Sequence, residues 1–215
     1  MTIDNETLEG LRATAVASVS DALSQLGVGG TMEAAISPIF RAKVVGPART
    51  VLEEPDDQAG PPAHALETID EAEAGSVVVI AHGGDPDVAV WGGIMAAGAH
   101  ARGLEAAVLD GGVRDVEEIE RDFGFPVFSR SVSPVTTVGR YRTVARDVPV
   151  RCGGVEVAPG DIIVGDADGV AVVPPDAAAE VLSLARQIDD REAQTTAMIL
   201  EFGSIRRAVD EFERI

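Results

Sequence analysis

Between residues 76 and 128 the chain switches repeatedly between two periodicities, and few folds accommodate that. Residues 76–81, SVVVIA, form an uninterrupted β-rich run, the signature of a strand buried on both faces. A small-residue stretch with helical character follows at 92–102, then an apolar strand at 104–109. A helix is expected at 115–122 and a strand at Val127 and Phe128, opened by Pro126 where a missing N–H matters least. This alternation predicts a parallel α/β layer.

The flanks are read more coarsely. Leu8, Leu11, Ala15, Val19, Ala22, Leu23 and Leu26 keep near-helical spacing. Ser18 with Asp21 three residues on offers a cap for a second helix, so this region reads as one helix or two. Short strands are expected at 36–40 and 42–45, a turn at Gly46-Pro47, a strand at 48–52 and an exposed acidic loop at 53–62. A helix is expected over 64–73. Beyond Ser129, short segments at 132–138, 141–145, 148–150, 155–157, 161–164 and 169–173 read as antiparallel strands. Pro174-Pro175 ends them, and a long amphipathic helix over 176–201 precedes a short one over 205–212. The expectation is one α/β domain over 1–215 with a mixed β section and flanking N- and C-terminal helices.

With 46% apolar residues in 215, the chain can bury a substantial core. Cys152 is the only cysteine, which excludes an intrachain disulfide and fits a structural thiol in a cytoplasmic protein. No run of about 18 apolar residues predicts a membrane span, and the N-terminus lacks the pattern of a secretory leader. Formal net charge is −19, with Lys43 the only lysine against 16 arginines. Such a balance disfavours nucleic-acid binding, which needs basic patches, and suits a halophilic setting where salt screens self-repulsion.

The chemistry concentrates in residues 91–115, WGGIMAAGAHARGLEAAVLDGGVRD. Gly92 and Gly93 open the small-residue helix, so its first amides and positive dipole end face no bulky side chain. Asp110-Gly111-Gly112 is read as a turn ending the strand and presenting Arg114 beside Asp115. Arg offers a fork for a carboxylate and Asp a hard oxygen for a divalent cation. The bland alternatives are a surface ion pair with Asp115 as a helix cap, and ordinary tight packing of the glycines.

This stretch resembles the RraA-like proteins and class II pyruvate aldolases. Supporting pieces are Ser20-Asp21-Ala22-Leu23, Gly46-Pro47-Ala48-Arg49-Thr50, Pro159-Gly160-Asp161 and Asp166-Ala167-Asp168-Gly169-Val170. The resemblance covers about 19–175, leaving C-terminal helices over 176–215. It implies a β/β/α sandwich of the swivelling-domain type, assembled as trimers or hexamers. It also implies that Arg114 binds the pyruvyl portion of a 2-oxo acid and that Asp115 directly coordinates Mg²⁺ or Mn²⁺. The main chain of Gly92, Gly93, Ile94 and Met95 would hold substrate, and Glu192 of a neighbouring subunit would complete the metal's water shell. The implied activity is cleavage of a 4-hydroxy-2-oxo acid of the 4-hydroxy-4-methyl-2-oxoglutarate type, with oxaloacetate decarboxylation alongside. The alternative is a non-catalytic regulator that binds a ribonuclease. One departure stands out. Gly93 occupies a position where the aldolases often carry an acid, with Asp85 or Asp87 as possible substitutes.

Other motifs are absent: no Walker loop, no G-x-G-x-x-G after a strand, no H-E-x-x-H and no G-x-S-x-G. His64 reads as a helix-surface residue. Asp166 and Asp168 read as a β-turn, because the remaining EF-hand spacing is missing.

Overall fold

The computed structural model describes residues 4–212. Two N-terminal helices form, α1 (Asn5–Ala13) and α2 (Val16–Leu26). Asp4 caps α1 by accepting the Thr7 amide at 2.7 Å. Ser18 does not cap α2, which starts two residues earlier; its hydroxyl instead bonds the Asp189 carboxylate. Gly27 ends α2 in the left-handed conformation (φ 68°).

After the two-residue β1 (Ser37–Pro38) comes the longest strand, β2 (Val44–Pro55). It runs straight through Gly46-Pro47, where a turn was expected. Pairing explains why the strand tolerates both residues. Pro47 lies opposite Ile162 on one side, while pairing on the other side begins only at Ala48. Gly46 is needed because a Cβ there would lie 2.1 Å from the Gly75 carbonyl oxygen. The strand also claims the first residues of the expected acidic loop, and Glu53 is buried.

The central layer keeps the expected alternation, with two departures: a strand at Ala89–Trp91 that the pattern did not predict, and the helix expected at 115–122, which forms as a short α-helix followed by a π-helix. It comprises α3 (Ala63–Glu71), β3 (Val77–Ala81), β4 (Ala89–Trp91), α4 (Gly93–Ala101), β5 (Ala106–Val113), a short α5 (Val116–Glu118) running into a π-turn (Ile119–Phe123), and β6 (Val127–Val132). Strands β2, β3, β5 and β6 are parallel neighbours. Residues 132–138 are not the expected strand: β6 ends at Val132, and beyond it only Thr136 makes an isolated bridge, to Ala89.

Then follow β7 (Tyr141–Arg146), β8 (Val150–Cys152), β9 (Val155–Val157), β10 (Ile162–Asp166) and β11 (Gly169–Val173). The sheet order is β1-β6-β5-β3-β2-β10-β11, with β4 beside β5 and β7 beside β2; β8 and β9 form a separate hairpin. The helices α6 (Ala178–Phe202) and α7 (Ile205–Phe212) close the chain.

Alternation along the buried strands sets the layers. Val78 and Ile80 of β3, with Ala107 and Leu109 of β5, face α3 and α4 through Ala65, Ile69, Ala96 and Ala99. Their neighbours Val77, Val79, Ala106 and Val108 face the opposite way, against Val150, Cys152 and Val157 of the hairpin. Helices, central sheet and hairpin thus stack as three layers of an α/β fold. A third cluster packs α1, α2 and α6 on β10 and β11 through Leu11, Leu23, Val164, Val173 and Val181. Cys152 is fully buried, and burial pushes its thiol up, which fits a structural residue. No helix among the described residues is long and apolar enough to cross a membrane.

Candidate active site

Parallel strands put their C-terminal ends on one edge, where ligands of α/β sheets bind. Trp91 of β4 and Val113 of β5 are register partners. The residues that follow, Gly92 and Arg114, therefore leave the sheet side by side, and the Arg114 amide donates to the Trp91 carbonyl at 3.0 Å. Asp110-Gly111-Gly112 is not a turn; it lies within β5. The glycines admit close neighbours. A Cβ on Gly111 would meet the His82 ring at 3.0 Å, and one on Gly112 the Val88 carbonyl at 3.0 Å.

Asp115 takes the left-handed conformation (φ 58°, ψ 34°), uncommon for a non-glycine residue and often found at functional sites. It makes no side-chain cap on its own helix. Its Oδ2 instead accepts the Gly93 amide of α4 at 3.0 Å and lies 3.4 Å from Arg114 Nε. Both side chains are about two-fifths exposed, so they remain available to a ligand. A helix cannot satisfy its first amides internally. Here the Ala96 amide already bonds the Gly92 carbonyl, and the Gly93 amide bonds Asp115. The amides of Ile94 and Met95 have no partner among the described residues. The positive end of α4 thus opens beside Arg114.

Gly92 and Gly93 leave room that other side chains use. A Cβ on Gly92 would fall 2.8 Å from Asp115 Oδ2 and 3.0 Å from Arg114 Nε. On Gly93 it would fall 2.8 Å from Glu118 Oε1. A cleft of about 240 Å³ opens here, lined by Gly92, Ile94, Met95 and Arg114 with Leu66, Trp91 and residues 136–138.

The family model for RraA-like proteins, described as aldolase/RraA, matches residues 16–172. The chain belongs to the RraA-like family. A Halalkalibacterium halodurans relative, provisionally named a 4-hydroxy-4-methyl-2-oxoglutarate aldolase, is 37% identical over 84% of this RraA-like chain and 82% of its own. Protein DlpA of Legionella pneumophila is 32% identical over 91% of this chain, which spans only 32% of DlpA's length. The crystal structure of Streptomyces coelicolor RraAS2, described as an unusual member of the RNase ES inhibitor RraA family, superposes with a TM-score of 0.85 at 27% identity. That match covers 92% of this chain and 100% of RraAS2.

Within the RraA-like fold, Gly92, Gly93, Ile94, Met95, Arg114 and Asp115 come together at one sheet edge. Glu192 does not join them within one chain; it lies on α6 in a separate groove of about 410 Å³, with Gln25, Ile188 and Thr195. Asp85 is not free to substitute for the acid missing at Gly93. Its carboxylate accepts the Asp87 amide and the Tyr141 hydroxyl, both at 2.9 Å, and these bonds hold it below the usual carboxylate range. The carboxylate that does stand against Gly93 is Glu118, three residues after Asp115. Sequence reading missed it, although a short helix starting at 115 places residues 115 and 118 on one face. It also missed a buried pair, His82 Nδ1 to Glu53 Oε2 at 2.9 Å, which sits under Tyr141. No local signal joins residues 29 positions apart.

Proposed function

We propose that this RraA-like chain is a divalent-metal-dependent carbon–carbon lyase that releases pyruvate from a 4-hydroxy-2-oxo acid, with oxaloacetate decarboxylation as a side activity. The carrying observation is the juxtaposition of Arg114, Asp115 and the open start of α4.

The donor chemistry fits a hard cation. Asp115 and Glu118 flank the start of α4, and no group of three or more His, Cys, Asp or Glu residues is poised to hold a metal among the described residues. Mg²⁺ is commonly held by one or two carboxylates while water and substrate oxygens complete its shell. Asp115 would hold the ion directly. In a trimer or hexamer, Glu192 of a neighbouring subunit is the further expected contributor. The ion supplies Lewis-acid polarisation of the 2-oxo group.

The chain's own groups do the rest. Arg114 pairs with the substrate carboxylate and orients the pyruvyl end. As the C3–C4 bond breaks, the 4-hydroxyl loses its proton, the second carbonyl forms, and negative charge grows on the 2-oxo oxygen. The Ile94 and Met95 amides and the Arg114 guanidinium face that charge in fixed positions. Protonation at C3 completes pyruvate. Among the described residues no His or Lys lines the cleft, so the proton passes through water.

The test is pyruvate release from oxaloacetate and from 4-hydroxy-4-methyl-2-oxoglutarate, with Mn²⁺ or Mg²⁺ and with chelator. Arg114→Ala and Asp115→Ala should each cut turnover at least about a hundredfold in a folded protein, and chelator should do the same. Unchanged rates in both variants would overturn the proposal. The likeness to RraAS2 supports a second reading, a non-catalytic regulator. Stoichiometric recovery of a ribonuclease, together with no turnover, would favour it.

A further inference from the structure

We infer that His82, oriented by Glu53, is a positioning residue for the site. It seats Tyr141, and the bond from Tyr141 to Asp85 fixes the 83–88 loop and so the line along which β4 delivers Gly92 to Arg114. The effect on turnover rests on the lyase reading above; the positioning itself does not.

His82 is where the chain leaves β3, and it touches three other strands. Its Nδ1 lies 2.9 Å from Glu53 Oε2 of β2. Its ring packs on Tyr141 of β7, with centroids 3.8 Å apart. It also lies over Gly111 of β5, where a Cβ would come 3.0 Å from the imidazole and 3.1 Å from Val90 of β4. The His82 and Glu53 side chains are 0% and 1% exposed within one chain, so a neighbouring subunit leaves their surroundings as they are.

From Tyr141 the link runs two ways. Its hydroxyl donates at 2.9 Å to Asp85, in the loop between β3 and β4. Its amide donates at 2.9 Å to the Thr137 carbonyl, closing the turn that continues the cleft wall at 136–138. The loop is held on its other side by Ser131 and Ser133, whose hydroxyls donate to the carbonyls of Pro86 and Asp87. The Ala89 amide then donates to the Val135 carbonyl at 2.7 Å, and β4 ends one residue before Gly92.

Stability alone does not account for a polar pair at this junction. Glu53 Oε1 and His82 Nε2 are buried without a partner among the described residues. A well-packed apolar pair of similar volume would avoid that cost. What the polar pair adds is direction. The bond at Nδ1 sets the plane of the imidazole against which Tyr141 rests.

Tyr141 and Trp91 are the only tyrosine and the only tryptophan. Near-ultraviolet circular dichroism therefore reads the seating of one and, through the other, the packing of β4. Spectra, melting temperature and steady-state pyruvate release with Mn²⁺ are compared for the native assembly and four variants. Glu53→Leu removes the bond to Nδ1 at similar volume, and Glu53→Gln keeps an oxygen for it. Tyr141→Phe keeps the ring and removes the hydroxyl, and Asp85→Asn keeps an acceptor for that hydroxyl. Glu53→Leu and Tyr141→Phe should shift the Trp91 band and lower kcat at least about tenfold, the effect of misplacing Gly92. KM should stay within about threefold, because Arg114 and Asp115 still receive the substrate. Glu53→Gln and Asp85→Asn should remain within about threefold of wild type in both constants and keep its spectrum. An unmoved Trp91 band or an unchanged kcat in Tyr141→Phe would overturn the inference. So would a loss in Glu53→Gln as deep as that in Glu53→Leu, which would mark the pair as merely structural. If Glu53→Leu does not fold, Tyr141→Phe set against Asp85→Asn decides. If the wild type turns over and Tyr141→Phe matches it, only this inference falls. If the wild type releases no pyruvate, the lyase reading falls, and the Trp91 band alone decides the positioning.

Discussion

Gly92 is the residue on which the site's geometry turns, although it contributes no side chain. Its backbone is extended (φ −159°, ψ −173°), so any residue could adopt the conformation, and the need for glycine is purely spatial. A single methyl group would press on Asp115 Oδ2 and Arg114 Nε together. Gly92→Ala should therefore displace both and lower pyruvate release by about a hundredfold, the effect of an ångström-scale misplacement. The melting temperature should move by only a few degrees, because the crowded side chains are partly exposed and can yield outward. Wild-type turnover in Gly92→Ala would show that the Arg114–Asp115 geometry does not limit the reaction. At this scale the sequence is legible where function sits in adjacent letters, as with Arg114-Asp115 or the Gly92-Gly93 pair. It is illegible where tertiary approach confers the role. Glu118 looks like any solvated helix glutamate until Gly93 makes room for it. Glu53 looks like the start of an acidic loop until β2 carries it under His82.

At the scale of elements, the parallel layer was legible because β3 and β5 are buried on both faces and α4 packs small residues on the sheet. Two strands nevertheless run through residues that read as turns, and both for the same reason. Gly46 in β2 and Gly111-Gly112 in β5 are glycines for neighbours that come too close, not for chain reversal. Single-sequence reasoning cannot see those neighbours, so it assigned the glycines to the commoner role of breaking structure. Residues 132–138 fail in the opposite direction. Val132 ends β6, Thr136, Thr137 and Val138 line the cleft, and Thr136 is bridged to Ala89 rather than laid into a full ladder. Gly46→Ala checks this account. The obstructing atom is the Gly75 backbone carbonyl, which cannot rotate away as a side chain could. The substitution should cost about 2–3 kcal/mol in urea unfolding, at the upper end for overpacking. A loss below about 0.5 kcal/mol would mean that the Gly75 loop moves freely and that Gly46 was a matter of local propensity.

At the scale of the molecule, charge sets the conditions under which all of this holds. Acidic residues number 36 against 17 basic ones, and the basic ones are almost all arginine. The structure shows how these arginines are used. Arg49 holds Asp147 with two bonds of 2.8 and 3.0 Å, Arg146 reaches Glu71 and Glu67, and Arg130 bridges Glu33 and Asp110. Contact pairs of this kind, above all the largely buried Arg130–Asp110, are screened less than the long-range repulsion among the surplus carboxylates, which falls off within about 10 Å at 0.1 M. Added salt should therefore stabilise the fold, because it removes the repulsive part and spares most of the attractive part. We expect the melting temperature to rise by roughly 5–10 °C between low salt and molar potassium chloride, about 2–3 kcal/mol for a chain of this length. The same measurement with sucrose in place of salt separates screening from general exclusion of solutes, since sucrose carries no charge. An equal rise in sucrose, or no rise in salt, would remove the case for a halophilic surface. A salt-specific rise would also require the turnover and binding assays to be run in molar salt, where long-range repulsion no longer masks contacts made inside the cleft.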